Sequence, residues 1–467
     1  MTRYTSATDA DREAMLAEIG ASTVDDLFDE LPAEVRLDRP LELPDGLGES
    51  EVYDHLRALA ARNADAESET CFIGAGYYDH YVPALVDAII SRSEFLTPYT
   101  PYQPEISQGG LQAMFEFQTA ISELTGLPIA NASLYEGPSS VASAGYLAIG
   151  ATKDRKRFVV SRGLHPHSRE TLRSYAVGFG AEVIEVDLTD GVTDPAAIAA
   201  AVDSETAAVF VQSPNFLGAV EDLEALAAPA KEAGALAIAA VDPIAMSVLR
   251  PPGECGFDVA LGEGQALGNR LDFGGPSFGF FAATEEHTRR MPGRIAGETE
   301  DVDGRRGFVL ALQTREQHIR REKATHNICT SQALNALAGV IYLSWLGKRG
   351  FRELGELLVR RTAYARERLA AIDGVELLHE APVVREFAVR VDAPVEKVLD
   401  LCAEEGIAAG YPLAREYPEF SDGLLVALTE RRSKEDIDRL AEALERAVGE
   451  ISPTGGDKST VAAEVAP

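Results

Sequence analysis

The sequence predicts an α/β fold with a mainly parallel central sheet, followed by a smaller α+β module. Three observations carry that prediction. Between Arg157 and Ala282, short apolar, β-branched runs alternate with helical segments, the sign of βαβ units whose strands are buried on both faces. After Phe351 the order changes to helix, strand, strand, helix, strand, helix. At 467 residues the chain is also long enough for more than one core. These patterns divide it into a helical N-terminal segment, 1–60; a large α/β domain, 61–330; a small α+β domain, 331–451; and a tail, 452–467, whose linker composition predicts disorder.

Taken in order, Asp9 to Ile19 and Ser50 to Ala60 show helical periodicity, with a proline-bearing stretch, Leu37 to Leu47, between them. Leu111, Met114, Phe115, Ile121 and Leu124 follow steps of three and four, and Gly126 is placed to stop that helix. A second helix is expected from Ser139 through Ile149. The strand candidates are Phe158 to Val160, Val183 to Val186, Ala207 to Gln212, Leu236 to Val241, Val259 to Leu261 and Phe278 to Ala282. The helix after Asp194 has an Asp N-cap and a Pro at its first position. Ala333 to Leu346 is too short and too interrupted, by Asn335 and Gly339, to span a membrane, and reads as a buried core helix. A long helix, Phe351 to Ile372, leads into the last module: Val375 to Leu378, Phe387 to Val391, Val395 to Glu404, Leu424 to Leu428 and Lys434 to Val448. Ser433 with Asp436 suits a capping-box start to the final helix.

Ligands of open parallel sheets bind outside the carboxyl ends of the strands. Those ends carry His165, Asn215, Asp242 and the turn Gly262 to Gly268. Glycine-rich turns at Glu136-Gly-Pro-Ser-Ser140, opening a helix, and at Phe273-Gly-Gly-Pro276 would let a backbone approach a phosphate. Three further stretches, Phe72 to Pro83, Thr97 to Gly110 and Ser133 to Ser140, concentrate glycine, proline and tyrosine beyond what packing demands. Taken singly, each residue has a plainer use: Tyr77, Tyr78 and Tyr81 as a packing contact, a strand-end Asp as a cap or ion-pair partner, a lone His as a satisfied structural group.

From about Ser6 to about Ile451, including Arg321 to Leu334, the chain resembles the glycine cleavage system P-protein family, specifically subunit 1 of its two-subunit form. In that last stretch His326 and Ser331 stand where Ser and Asn are expected. The resemblance implies the aspartate-aminotransferase-type fold (type I) of the pyridoxal phosphate (PLP) enzymes. In that fold a serine-bearing helix N-terminus holds the phosphate, a ring stacks on the pyridine, a strand-end Asp holds its nitrogen and a Lys forms the Schiff base. Ser139 and Ser140, His165 and Asp242 match the first three by position. The lysine should fall where this chain has Gln265 and Ala266, and there is no lysine at all between Glu232 and Glu322. Arginine cannot substitute as an amine nucleophile.

The resemblance further implies that PLP is held covalently by subunit 2, that Tyr99, Tyr102, Gln103, Ser107 and Gln108 reach the partner's pocket, and that Ser139, Ser140, His165, Asp242 and Gln265 mark a degenerate pocket here. The assembled enzyme would be an αβ dimer, paired into a heterotetramer. It would decarboxylate glycine, release CO2 and pass the aminomethyl group to the lipoyl arm of the H-protein. An obligate interface of this kind should exceed about 2,000 Å². Two alternatives stay open: a self-sufficient PLP lyase or transaminase using Lys323, and a non-enzymatic scaffold of the same fold.

Composition narrows the partners. There is no stretch of about 18 apolar residues, and the N-terminus lacks the apolar core of a secretory signal, so a cytoplasmic protein is expected. Four dispersed cysteines and eight histidines show no metal-ligand spacing. The net charge is −32, from 75 acidic and 43 basic residues, which disfavours nucleic acid and anionic membranes. A solvated acidic surface suits high salt, where self-repulsion is screened within a few Å, and points to a halophilic source. Urea unfolding should therefore show a higher midpoint in molar salt than in low salt. Equal midpoints would remove the halophilic reading.

Overall fold

The computed structural model describes residues 6–451 apart from positions 38, 154, 325 and 330. The tail expected to be disordered, 452–467, lies outside the described residues. The chain forms two compact units, Met1–Ala64 and Asp65–Pro467, so the large α/β and small α+β modules share one unit.

In the first unit the helix Asp9–Ile19 starts at a capping box made by Thr8 and Asp11 and ends at Gly20. The helix Glu49–Ala60 starts at Gly48, whose N–H donates to Glu51 at 2.8 Å. No described residue before Asp65 is buried, and Leu27, Phe28, Leu41, Leu43 and Leu56 are exposed.

The second unit is organised by a seven-stranded sheet. Its strands are β1 (Ile129–Ala130), β2 (Arg157–Ser161), β3 (Glu182–Val186), β4 (Thr206–Ser213), β5 (Leu236–Val241), β6 (Val259–Glu263) and β7 (Gly279–Ala283). They lie in the order β1-β7-β6-β5-β4-β2-β3. From β3 to β6 all neighbours are parallel, whereas β7 runs antiparallel to both β6 and β1. The chain between Glu263 and Gly279 contains no crossover helix, and without one the return strand pairs antiparallel. Alternate residues feed two cores. Val159, Val209, Ala237 and Ala239 face one side; Phe158, Val160, Phe210 and Ile238 face the other.

The two helices expected between Ala333 and Ile372 are continuous in hydrogen bonding, Ala333–Ala370, but broken in direction at Gly347 (φ 61°, ψ 176°). Beyond it, Val375–Leu377, Glu386–Val391, Gly423–Ala427 and Tyr411–Pro412 make an antiparallel sheet in that order. The helices Val395–Glu404 and Lys434–Ile451 pack with it around a third core. Ser433 and Asp436 form the expected reciprocal cap, at 2.8 and 3.1 Å. An antiparallel hairpin, Ile295–Glu300 with Arg306–Ala311, was not expected, because charged residues at its outer end interrupt the apolar pattern.

Two short contacts place the site. Thr70–Cys71 pairs in parallel with Ile407–Ala408, and the Ala427 N–H donates to Phe72 O at 2.9 Å. The segment Phe72 to Pro83 is thereby carried from the small module to the strand ends of the large one. Among the described residues no helix is long and apolar enough to cross a membrane.

The Asp194 cap accepts from Ala196 N at 2.8 Å, with Pro195 at the first helical position. Asp194→Ala should cost about 1 kcal/mol, read as a lower urea midpoint with unchanged slope. An unchanged midpoint would show that the cap contributes nothing.

Candidate functional site

At the carboxyl end of β5, Asp242 is held by a buried arginine. Arg385 donates Nε to Oδ2 at 2.5 Å and Nη2 to Oδ1 at 2.7 Å, a bidentate pair. The guanidinium lies 3.4 Å from the centroid of the Tyr78 ring, and its third nitrogen meets His80 Nε2. Arginine can only donate, so His80 accepts through Nε2 and donates through Nδ1 to Glu430 at 2.5 Å.

Tyr78 is fixed from every side. Its N–H donates to Gln265 Oε1 at 2.9 Å, and Gln265 Nε2 returns a bond to Tyr78 O at 3.1 Å and one to Asn269 O at 2.9 Å. Its hydroxyl donates to Glu386 Oε2 at 2.8 Å, while Ala75 N–H donates to Glu386 Oε1 at 2.8 Å. Gln265 and Ala266, at the position where a lysine was sought, are both buried. The amide of Gln265 thus works as a backbone clamp.

His165 follows β2. Its Nε2 donates to Ala75 O at 2.9 Å, leaving Nδ1 to accept from His167 N at 3.2 Å. Desolvation pulls it down to about 4, despite that bond, so it is neutral. A Cβ at Gly76 (φ +104°) would lie 2.8 Å from Nε2, so both the backbone angle and the approach call for glycine there.

The helix Gly137–Ala151 opens as the serine-bearing turn predicts, but its N-terminus is taken. Glu136 accepts from Ser139 N at 3.0 Å, and Glu263 accepts from Gly137 N at 2.9 Å and Gln265 N at 3.0 Å. Both hydroxyls fold back onto Glu136 O, Ser139 at 3.2 Å and Ser140 at 2.8 Å. Two carboxylates therefore stand at the positive end of the helix, where a phosphate would otherwise bind. Burial pushes Glu263 up to about 6, against the bonds it accepts from Gly137, Ser277 and Gln265.

His165, Asp242, Gln265 and the Ser139–Ser140 turn are thus tied together through residues 75–78 and Glu263. Of the partners that tie them, Arg385 and Glu386 were not singled out from sequence, Glu263 was named only as part of the turn Gly262 to Gly268, and Tyr78 was given a packing contact as its plainer use. A charged Arg385–Glu386 pair at the head of an apolar strand was the one signal available. The second predicted group lies apart. Tyr99, Tyr102 and Gln103 are exposed; the Tyr99 hydroxyl meets Cys329 Sγ at 2.9 Å, and Tyr102 accepts from Arg294 Nη2 at 3.1 Å. Ser107 is the N-cap of the helix Gln108–Thr125 without a side-chain cap bond. Gln108 is spent on the hairpin, pairing with Phe308 O and Phe308 N, each at 2.8 Å. Among the described residues no His, Cys, Asp and Glu cluster suits a metal ion.

Burial pushes Glu386 from an ordinary 4.5 up to about 7, outweighing the bonds from Ala75 and Tyr78. A carboxyl with a raised folded pKa favours folding in acid: its contribution is complete below about 4.5 and is lost as pH rises through 7. Glu386→Gln should flatten the fall in urea midpoint between pH 5 and pH 8, and be more stable than wild type at pH 8. Parallel profiles for the two proteins would show that Glu386 ionises normally.

The family model described as "Glycine cleavage system P-protein" matches residues 2–444. The chain is similar to proteins named probable glycine dehydrogenase (decarboxylating) subunit 1. The one from Desulforamulus reducens is 46% identical over 95% of this chain and 99% of that protein. The one from Carboxydothermus hydrogenoformans is 48% identical over the same shares. A crystal structure of glycine decarboxylase (P-protein) of the glycine cleavage system, in inhibitor-bound form, superposes with a TM-score of 0.87 at 44% identity, covering 96% of this chain and 100% of that one. A sphingosine-1-phosphate lyase from Burkholderia pseudomallei shares the fold alone, with a TM-score of 0.61 at 16% identity over 90% and 95% of the two chains. The fold is accordingly the type I PLP-transferase fold, and the chain belongs to the glycine cleavage system P-protein family.

Proposed function

We propose that this chain is subunit 1 of a heteromeric glycine decarboxylase and that it completes an active site whose lysine and PLP belong to subunit 2. The observation that carries the reading is how the equivalent positions are filled here. Gln265 clamps Tyr78, Asp242 is neutralised by Arg385, and Glu136 and Glu263 cap the helix that would take a phosphate. PLP does not fit this set: its phosphate would meet two carboxylates and its ring nitrogen an aspartate already paired. No catalytic step is assigned to this pocket.

The reaction proposed for the assembled enzyme is loss of CO2 from glycine and transfer of the aminomethyl group to the lipoyl arm of the H-protein. This chain would present Tyr99, Tyr102 and Gln103 to the partner's site. The exposed apolar side chains of the N-terminal unit, Leu27, Phe28, Leu41, Leu43 and Leu56, supply surface for an obligate αβ contact. The αβ unit would pair again into a tetramer. A self-sufficient enzyme would need an unusual lysine such as Lys323, which lies exposed in the turn Arg321–Lys323.

Isotopic exchange between glycine and bicarbonate, with lipoylated carrier and PLP, separates the readings. Exchange is expected only when subunit 2 is added. Exchange by this chain alone would overturn the proposal in favour of a self-sufficient enzyme. No exchange in the mixture, with subunit 2 competent beside another subunit 1, would leave a scaffold.

A further inference from the structure

The partner-facing loop also walls a cavity of about 440 Å³. It lies between the helix Gln108–Thr125, the loop 94–101 and the first turns of the helix Ala333–Ala370. Most of its wall is apolar, with Leu96, Pro98, Ile106, Met114, Phe117 and Leu337 contributing. Two of its polar side chains are buried with bonding capacity unused. Arg294 is 3% exposed, and although Nη2 bonds Tyr102, its Nε and Nη1 have no hydrogen-bond acceptor among the described residues. Glu316 lies 3.7 Å from Nε, near enough to offset charge but beyond hydrogen-bond reach. Thr100 Oγ1 is likewise buried without a partner. Buried polar groups are rarely left in this state, and these two line one cavity.

A third feature points the same way. Gly109 and Gly110 line the cavity in the first turn of an 18-residue helix that no side chain caps. A Cβ built at either glycine meets no atom within 4 Å, so packing does not require glycine there. The first-turn N–H groups beside the cavity have no side-chain acceptor from a cap. Glu94, the acidic residue of the lining, is turned onto Arg92 at 2.8 Å.

We propose that this cavity binds a monocarboxylate carrying an apolar tail. The carboxylate would take the free Nη1 of Arg294, the Thr100 hydroxyl and the helix N-terminus, and the tail would lie along Ile106, Met114, Phe117 and Leu337. A carboxylate matches a buried guanidinium in charge and shape. A bare phosphate would leave the apolar wall wet; a neutral amide would match the wall and offer the unbonded guanidinium N–H groups only an uncharged acceptor. The inference stands on this chain's residues and is independent of which subunit holds PLP.

Calorimetric titration of the full chain with octanoate tests it, alongside octanamide, acetate and inorganic phosphate. Saturable one-to-one binding of octanoate is expected, with octanamide weaker by at least about tenfold and no saturation by acetate or phosphate at the same concentrations. Arg294→Met should erase the preference for octanoate over octanamide, and Arg294→Lys should restore part of it. The octanoate–octanamide comparison uses the unmodified protein, so it does not depend on the variants folding. Equal binding of the two would reduce the cavity to a greasy hole, and equal binding of acetate or phosphate would remove the tail. Absence of heat with every probe would show that the cavity takes none of these ligands. Each of those three results overturns the proposal.

Discussion

The pairing of Arg385 with Asp242 is the contact on which the arrangement turns. It joins a residue just before a strand of the small module to the end of a strand in the main sheet, with Arg385 almost wholly removed from water. Removing one member of such a pair leaves an uncompensated buried charge, a loss of about 3–5 kcal/mol. The guanidinium also rests on the Tyr78 ring and bonds His80, which in turn bonds Glu430. One cation therefore holds residues 75–80, the β5 end and the small module in a single register. Without it Asp242 would be an unpaired carboxylate at the end of β5.

The same substitution of internal groups for external ones recurs at the helix Gly137–Ala151. A helix N-terminus favours negative charge whatever its source. Here Glu263 reaches it from the end of β6 while Glu136 caps it locally. For Glu263 burial outweighs the bonds it accepts, raising its pKa to about 6. What they secure is exclusivity: an external dianion would have to displace two carboxylates. The pocket is closed by charge as well as by shape.

Most of the frame was legible from the chain alone. Runs such as Leu236 to Val241 are apolar, β-branched or small throughout, because both faces of that strand are covered, and the strand occupies those residues and no others. Asp194–Pro195 and Ser433 with Asp436 announced their helices through local hydrogen bonds, which depend on nothing distant. Strand ends were legible for the same reason, so Asp242 and His165 were found. Their partners were not. Arg385 lies 143 residues from Asp242 and Glu263 lies 126 from Gly137. Beyond the charged Arg385–Glu386 pair at the head of an apolar strand, nothing in the composition separates a buried ion-pair partner from a solvated surface charge. The hairpin at 295–311 was hidden by its exposed end, where Glu298, Glu300 and Arg306 break the alternation.

The missing amine is therefore the least of what separates this pocket from one that could hold a cofactor. A lysine in place of Ala266 would have to enter a buried position, next to Gln265, which clamps the Tyr78 backbone through both its donor and its acceptor. Asp242 would still be neutralised, the helix N-terminus would still face two carboxylates, and His165 would still be bonded to Ala75. Each of these contacts supports the next through the segment 75–78, so opening one means breaking several buried bonds together. A pocket filled in this way is a structural core. What the chain presents outward instead is the loop that carries Tyr99, Tyr102 and Gln103 and the cavity beside it, where Arg294 donates to the Tyr102 hydroxyl at 3.1 Å and keeps buried nitrogens without a hydrogen-bond acceptor among the described residues.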